Sequence, residues 1–254
     1  MRVLLVAGSP EPSSPELVAA LAGDVDEVMA VDRGADACRA AGVVPDSFCG
    51  DADTVSPDTL AWLCGRAGES EADVRRLDVT PADDARDVPE VHGLATAGGL
   101  ATAGGVRLFE PAKYDTDLSL AFSCCRQLAR EADESLEVTV TCASGGRMDH
   151  ALAVFGVLAA NADLAPALAE DAFECRVLSP RGCGSWALGP SAVGRRFSFV
   201  ALADGTLVSE RGMRWELDRF RVDALRDRGI SNVVESAGAT VTCHDGILAA
   251  FLIR

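Results

Sequence analysis

The sequence predicts an α/β N-terminal domain with a mainly parallel sheet, followed by an all-β sandwich as the C-terminal domain. In the first part of the chain, short apolar runs alternate with helical segments, which is typical of βαβ units. Beyond about Asn161, short strand-like runs separated by glycine turns replace that alternation, as in a sandwich. We therefore expect domains at residues 1–165 and 166–254, with a flexible insertion at about 80–105.

The N-terminal elements can be placed in order. Residues 2–7 form a continuous apolar run, typical of a parallel strand buried on both faces. Ser56 and Pro57 are suited to starting a helix, and Thr116 is suited to capping another. The full prediction is helix 15–22, strand 28–31, helix 35–41, strand 48–49, a helix from Ser56, strand 106–109, helix 116–130, strand 138–142 and a helix through Ala160.

Two further stretches complete this organisation. The segment Leu94–Gly99 repeats immediately as Leu100–Gly105, and such small residues bury little surface, so a flexible insertion is expected there. The C-terminal domain contains six strand-like runs, at residues 173–178, 185–188, 195–202, 206–208, 240–243 and 247–253.

Composition limits the possible functions. The chain has 254 residues, 48% of them hydrophobic, and a formal net charge of −16. Its negative field repels nucleic acid and anionic membranes, so neither is an expected partner. No apolar run reaches the roughly 18 residues of a membrane span, and the first strand follows Met1 directly. The nine cysteines are scattered without a C-x-x-C pair, which favours reduced thiols and a cytoplasmic location.

Carboxylates stand where the predicted parallel strands end or the next helix begins. They are Asp32, Asp51 with Asp53, Asp117 and Asp149. Ligands bind at the carboxyl ends of parallel strands, and several carboxylates in one crevice repel one another unless a cation lies among them. Mg²⁺ prefers such ligands together with phosphate oxygens. The pattern therefore predicts a site for a metal-bound polyphosphate.

A glycine pair offers a second phosphate-binding feature. Gly145 and Gly146 lie between a strand and a helix, where backbone N–H groups favour an anion. Arg33 and Arg147 are candidates for contacting phosphate oxygens, or alternatively for offsetting neighbouring aspartates. The chain contains neither G-x-x-x-x-G-K-[ST] nor a G-x-G-x-x-G after its first strand, which argues against a P-loop kinase and a dinucleotide-binding fold.

Taken together, an ordered set of motifs resembles the thiamine pyrophosphokinase family over nearly the whole chain. The motifs are Asp32-Arg33-Gly34-Ala35, Val44-Pro45-Asp46, Gly50-Asp51-Ala52-Asp53, Thr116-Asp117, Gly145-Gly146-Arg147-Met148-Asp149-His150, Gly212-Met213-Arg214-Trp215 and Ser231-Asn232. The resemblance implies a homodimeric enzyme with its active site near the interface. Such an enzyme uses Mg²⁺ to transfer the diphosphoryl group of ATP to thiamine, giving thiamine diphosphate and AMP.

The resemblance also implies roles for individual residues. The N-terminal domain would bind ATP and the C-terminal domain thiamine. Asp117 is the expected proton acceptor, and Trp215 either stacks on thiamine or belongs to the sandwich core. The implied roles are catalytic for Asp51, Asp53, Asp117 and Asp149; metal-binding for Asp51, Asp53 and Asp117; ATP-binding for Asp32, Arg33, Gly34, Thr116, Gly145, Gly146 and Arg147; and thiamine-binding for Trp215, Ser231 and Asn232.

One departure from the family pattern leaves alternatives open. Tyr114 stands where the family usually has an aspartate, so either Asp115 replaces that carboxylate or metal binding is weaker. One alternative is a related diphosphokinase acting on a pterin-type alcohol, which the Ser231-Asn232 pair disfavours. Another is a non-catalytic sensor of thiamine or nucleotide, which would bind its ligand without releasing AMP.

Overall fold

The computed structural model describes residues 1–67, 76–80, 90–92, 105–109 and 115–254. The chain divides into two compact units, Met1–Val154 and Phe155–Arg254. Tyr114 lies outside the described residues. Among the described residues, no helix is both long and apolar enough to cross a membrane.

The N-terminal unit is built on a mainly parallel sheet. Its strands follow the order β7-β1-β2-β3-β6-β4-β5, and the pairing is parallel except between β4 and β5. The first strand is apolar throughout its buried part and is covered on both faces, as predicted. The strands are β1 (Arg2–Val6), β2 (Glu27–Val31), β3 (Ser47–Gly50), β4 (Arg76–Thr80), β5 (Glu90–His92), β6 (Gly105–Phe109) and β7 (Glu137–Thr141).

The helices of this part of the chain have the predicted caps. The Thr116 hydroxyl accepts a hydrogen bond from the Ser119 N–H, and that of Ser56 accepts one from the Thr59 N–H. These bonds satisfy helix donors that would otherwise lack a partner, which fixes where each of the two helices begins. The helices are α1 (Pro15–Ala22), α2 (Gly34–Ala40), α3 (Pro57–Ala67), α4 (Asp117–Ala132) and α5 (Met148–Ala160).

The C-terminal unit is an antiparallel sandwich. One sheet has the order β14-β11-β16-β9-β8 and the other β10-β15-β12-β13. A shared core that includes Trp186, Phe197, Phe199 and Val241 draws residues from both sheets. The strands are β8 (Ala167–Glu170), β9 (Phe173–Leu178), β10 (Ser185–Ala187), β11 (Arg196–Ala201), β12 (Thr206–Arg211), β13 (Leu217–Val222), β14 (Asn232–Val233), β15 (Thr240–Asp245) and β16 (Leu248–Ile253).

The predicted fold class is confirmed: a parallel α/β part is followed by antiparallel sheets. Several strands were not identified from the sequence, among them β4, β5 and β13. The range 80–105 contains β5, which pairs with β4. Residues 81–89 and 93–104 lie outside the described part of the chain, so the flexibility of the insertion stays a prediction.

Candidate functional site

Three carboxylates converge at the ends of two adjacent parallel strands. Asp32 follows β2, Asp51 and Asp53 follow β3, and the two strands pair with Val31 opposite Cys49. One carboxylate oxygen from each aspartate lies within 4.8 Å of the others. This arrangement can hold a divalent cation, because hard cations bind carboxylate oxygens and offset their mutual repulsion.

Asp32 is the most perturbed member of this carboxylate cluster. Burial raises its pKa to about 6, and the nearby charges of Asp117, Asp51 and Asp53 raise it as well. The Thr54 hydroxyl donates a hydrogen bond to Asp32 Oδ2 and opposes this rise. Among the described residues, the buried Oδ1 of Asp32 has no hydrogen-bond partner. An orphaned oxygen beside two other carboxylates is suited to a cation.

The backbone at these strand ends is unusual. Asp32 and Ala52 adopt left-handed conformations with φ of 49° and 62°, as does Cys142 after β7, with φ of 55°. Residues other than glycine rarely adopt this backbone conformation, and those that do concentrate at functional sites. The backbone therefore holds Asp32, and the turn between Asp51 and Asp53, in a conformation that is uncommon for residues other than glycine.

Asp117 was predicted as a metal ligand, and the structure places it near the cluster but not in the group of three. Its charge raises the pKa of Asp32, so the two carboxylates interact. Asp32, predicted on the ATP side, belongs to the cluster. Asp115 is half-buried, and burial raises the pKa of its carboxyl group.

The predicted anion cradle is covered by the loop after β1. A Cβ added to Gly145 would lie 2.5 Å from the Glu11 carbonyl oxygen, and one added to Gly146 would lie 2.4 Å from Pro10 Cγ. The Gly146 N–H donates a hydrogen bond to Glu11 Oε2 at 3.2 Å. Close packing therefore requires glycine at both positions. The Glu11 carboxylate accepts the hydrogen bond from the N–H group that was predicted to bind phosphate. No pattern in the sequence indicates this contact of Glu11.

Arg147 and Asp149 form an ion pair with each other. Arg147 donates to both carboxylate oxygens of Asp149, at 3.2 and 2.6 Å. The hydrogen bond from Arg147 lowers the pKa of Asp149 to about 2. Both side chains are exposed. This arrangement corresponds to the alternative considered for Arg147, in which its charge offsets a neighbouring aspartate.

The other predicted ATP-side residues have local partners. The Arg33 side chain donates from Nε to the Thr54 carbonyl oxygen at 3.5 Å, and Thr116 caps α4. Gly34 is required by packing, because an added Cβ would lie 1.7 Å from the Val6 carbonyl oxygen. The start of α2 can therefore approach β1 only with glycine at this position.

In the C-terminal unit, the structure brings two of the predicted thiamine-side residues together. The Trp215 N–H donates to Asn232 Oδ1 at 3.1 Å, and Asn232 Nδ2 donates to the Trp215 carbonyl oxygen at 2.8 Å. Trp215 is 59% exposed, so it is not a core residue. Ser231 is exposed and its backbone is left-handed, with φ of 66°.

Glu210 is a buried neighbour of this pair that sequence reasoning missed. Its Oε2 accepts a hydrogen bond from Asn232 Nδ2 at 3.2 Å, and burial raises its pKa to about 7. Among the described residues, its other oxygen has no hydrogen-bond partner. The spacing rule gave no clear signal, because the predicted strand ended at residue 208 and the register shifts between Val208 and Glu210.

These features define a class of protein: a parallel α/β unit with carboxylates at its strand ends, joined in one chain to an antiparallel sandwich. No protein-family model matches the chain, and no curated protein matches it by sequence. Its fold is that of the thiamine pyrophosphokinase structures, which it matches over its full length.

Three solved structures illustrate the match. Thiamine pyrophosphokinase from Bacillus subtilis gives a TM-score of 0.71 at 18% identity, covering 100% of this chain and 99% of that chain. Thiamin pyrophosphokinase from Candida albicans gives a TM-score of 0.68 at 15% identity, and the match covers 100% of this chain and 89% of that chain. Yeast thiamin pyrophosphokinase gives a TM-score of 0.66 at 14% identity, and the match covers 100% of this chain and 86% of that chain. At these identities the match establishes the fold.

Proposed function

We propose that the protein is a Mg²⁺-dependent thiamine pyrophosphokinase, which converts ATP and thiamine to AMP and thiamine diphosphate. The observation that carries this proposal is the cluster of Asp32, Asp51 and Asp53 at the carboxyl ends of β2 and β3. Ligands of open α/β sheets bind at such strand ends. The match to the thiamine pyrophosphokinase fold supports the same reaction.

The donor set fits Mg²⁺. It consists of carboxylate oxygens, one of which is buried and has no hydrogen-bond partner among the described residues. Asp32, Asp51 and Asp53 would hold the ion, and Asp117 adds negative charge beside them. When bound, the metal would neutralise charge on the phosphate oxygens of ATP.

The protein's own residues would mainly position the two substrates. Diphosphoryl transfer depends on aligning the attacking alcohol with the phosphorus and on compensating charge. We assign proton acceptance from the thiamine alcohol to Asp117, and contacts to the phosphates to the Gly146 N–H and Arg147. Trp215 would present its exposed ring to the cationic thiamine.

The remaining parts of the proposal concern organisation. We assign ATP binding to residues 1–165 and thiamine binding to residues 166–254. We further propose a cytoplasmic homodimer with the active site near its interface.

Product analysis tests the function directly. The purified protein is mixed with ATP, Mg²⁺ and thiamine, and nucleotides and thiamine species are separated by chromatography. AMP and thiamine diphosphate should form in equal amounts and only when thiamine is present. Binding of thiamine without either product would instead support a sensor, and absence of thiamine binding would require other alcohols, including pterins, to be screened.

A further inference from the structure

All the hydrogen-bonding capacity of the Asn232 side chain is used within the protein. Its Oδ1 accepts from the N–H groups of Trp215 and Val233, at 3.1 and 2.9 Å. Its Nδ2 donates to the Trp215 carbonyl oxygen and to Glu210 Oε2, at 2.8 and 3.2 Å. A primary amide offers two donors and two lone pairs, so none is left for a ligand. Asn232 is also only 5% exposed.

The Trp215 side chain, in contrast, faces solvent. The residue is 59% exposed, and the Arg214 guanidinium carbon lies 5.8 Å from the ring centroid. The main chain carries the anchors: Arg214 donates its N–H to the Val233 carbonyl oxygen at 2.9 Å, and Trp215 makes its two bonds to Asn232. The position of the Trp215 main chain, from which the exposed ring extends, is therefore tied to the Asn232 amide.

Glu210 holds that amide from the interior of the sandwich. It is 2% exposed. One N–H of the Asn232 amide donates to the Trp215 carbonyl oxygen, and the Glu210 carboxyl group accepts from the other. Removing the acceptor would leave a buried N–H without a partner, which costs about 1–3 kcal/mol unless the amide moves. Movement of the amide would shift the main chain of Trp215.

We propose that Glu210 is a positioning residue for thiamine recognition, acting through Asn232 to fix the main chain and hence the exposed ring of Trp215. This inference deepens the proposed function and rests on it for the identity of the ligand. It also changes the role of Asn232, which serves as an internal brace and does not contact the ligand with its side chain.

The chemistry of the contact identifies a conservative replacement. Burial raises the pKa of Glu210 to about 7, so the neutral acid is favoured below that pH, and its Oε2 still accepts from Asn232. Glutamine provides the same acceptor at nearly the same size. Leucine has a similar volume but no acceptor, so the Glu210→Gln and Glu210→Leu variants separate hydrogen bonding from packing.

The experiment follows the environment of Trp215 directly. The protein is labelled with 5-fluorotryptophan, and the ¹⁹F resonances of Trp62, Trp186 and Trp215 are assigned, that of Trp215 by its loss in Trp215→Phe. Spectra are recorded for the unsubstituted protein, Glu210→Gln and Glu210→Leu. The resonance of Trp186, in the core of the same unit, reports on the integrity of the sandwich.

We expect Glu210→Leu to shift or broaden the Trp215 resonance while leaving that of Trp186 in place, and Glu210→Gln to retain both. In activity assays, Glu210→Leu should raise the KM for thiamine about tenfold, the equivalent of one lost hydrogen bond, with the KM for ATP unchanged. Glu210→Gln should restore the KM for thiamine.

The two proposals fail in different ways. If the protein does not use thiamine, the activity readout is lost, but the ¹⁹F spectra still test the link between Glu210 and Trp215. An unchanged Trp215 resonance in Glu210→Leu would overturn the positioning role, and so would an equal shift in Glu210→Gln. If Glu210→Leu does not fold, Asn232→Ala replaces it, and an unmoved Trp215 resonance there overturns the proposal as well.

Discussion

The backbone N–H of Gly146 donates a hydrogen bond to the Oε2 atom of Glu11 at 3.2 Å, so the protein's own carboxylate lies where an anionic ligand is proposed to bind. ATP would have to displace it. We therefore expect Glu11→Ala to lower the KM for ATP by about three- to tenfold, since hydrogen bonds to charged groups are worth more than neutral ones. Steady-state kinetics at saturating thiamine measure this.

Glu16→Ala is the matched control for this prediction, because it removes an exposed glutamate from the neighbouring helix α1. Its KM for ATP should stay within about twofold of the original value, which corresponds to a few tenths of a kcal/mol. The KM for ATP of Glu11→Gln should lie between that of Glu11→Ala and that of the unsubstituted protein. An unchanged or higher KM in Glu11→Ala would show that Glu11 does not compete with ATP.

Asp51→Asn should abolish Mg²⁺-dependent turnover with the fold intact. The substitution removes one carboxylate from the cluster but relieves repulsion among the remaining ones, so stability should not fall. AMP release should drop by at least about a hundredfold, the scale seen when one charge-stabilising group is removed from an active site. Asp58→Asn, at the exposed start of α3, is the control and should behave normally. Normal turnover in Asp51→Asn would remove Asp51 from the metal site.

Trp215→Ala should weaken thiamine binding by about tenfold, because an aromatic face contributes on the order of 1 kcal/mol or more to holding a cation. Binding of ATP should persist. Trp215→Phe keeps an aromatic ring and should retain most of the affinity. Isothermal titration calorimetry with each substrate separates the two effects. Equal thiamine affinity in the alanine and phenylalanine variants would exclude a contact between the ring and thiamine.

The free energy of unfolding of Glu210→Gln, relative to that of the unsubstituted protein, should be more favourable at high pH than at low pH. The folded state raises the pKa of Glu210 from 4.5 to about 7, so between these values the unfolded chain gives up its proton first and stability falls as pH rises. Glutamine does not titrate. The difference in unfolding free energy should therefore grow between pH 4.5 and 7, by up to about 3 kcal/mol, and then level off.

Denaturant unfolding measured from pH 4 to 9 gives this difference. Glu210→Leu should show the same pH-dependent increment with a different constant offset, since it lacks both the titrating group and the acceptor. A difference that does not vary with pH would mean that the Glu210 carboxyl group is not kept neutral by burial.

The sequence predicted the elements whose hydrophobic pattern is strong. Helix α1 was placed at its observed bounds, and the caps Ser56 and Thr116 were identified because their side chains act within a few residues of themselves. The convergence of Asp32, Asp51 and Asp53 also followed, because adjacent parallel strands end at one edge. Local pattern and simple topology were sufficient there.

Contacts between distant segments could not be predicted in the same way. Glu11 lies 135 positions from Gly146, and Glu210 lies 22 positions from Asn232. Neither pairing has a spacing rule, since each depends on how separate strands and loops are brought together by packing. Strand β13 was missed because most of its residues are exposed and polar, which leaves little alternation to detect.

Gly34 lies close to the Val6 carbonyl oxygen, so the motif Asp32-Arg33-Gly34-Ala35 is constrained by packing at Gly34 as well as by the proposed activity at Asp32. In a library screened only for soluble expression, position 34 should accept glycine alone, because any larger residue pushes α2 away from β1. Position 32 should accept asparagine in that screen, since asparagine tolerates the left-handed backbone there and loss of a partly buried carboxylate relieves repulsion. Only a screen for activity would require Asp32, so two positions of one short motif, 32 and 34, would be retained under different selections.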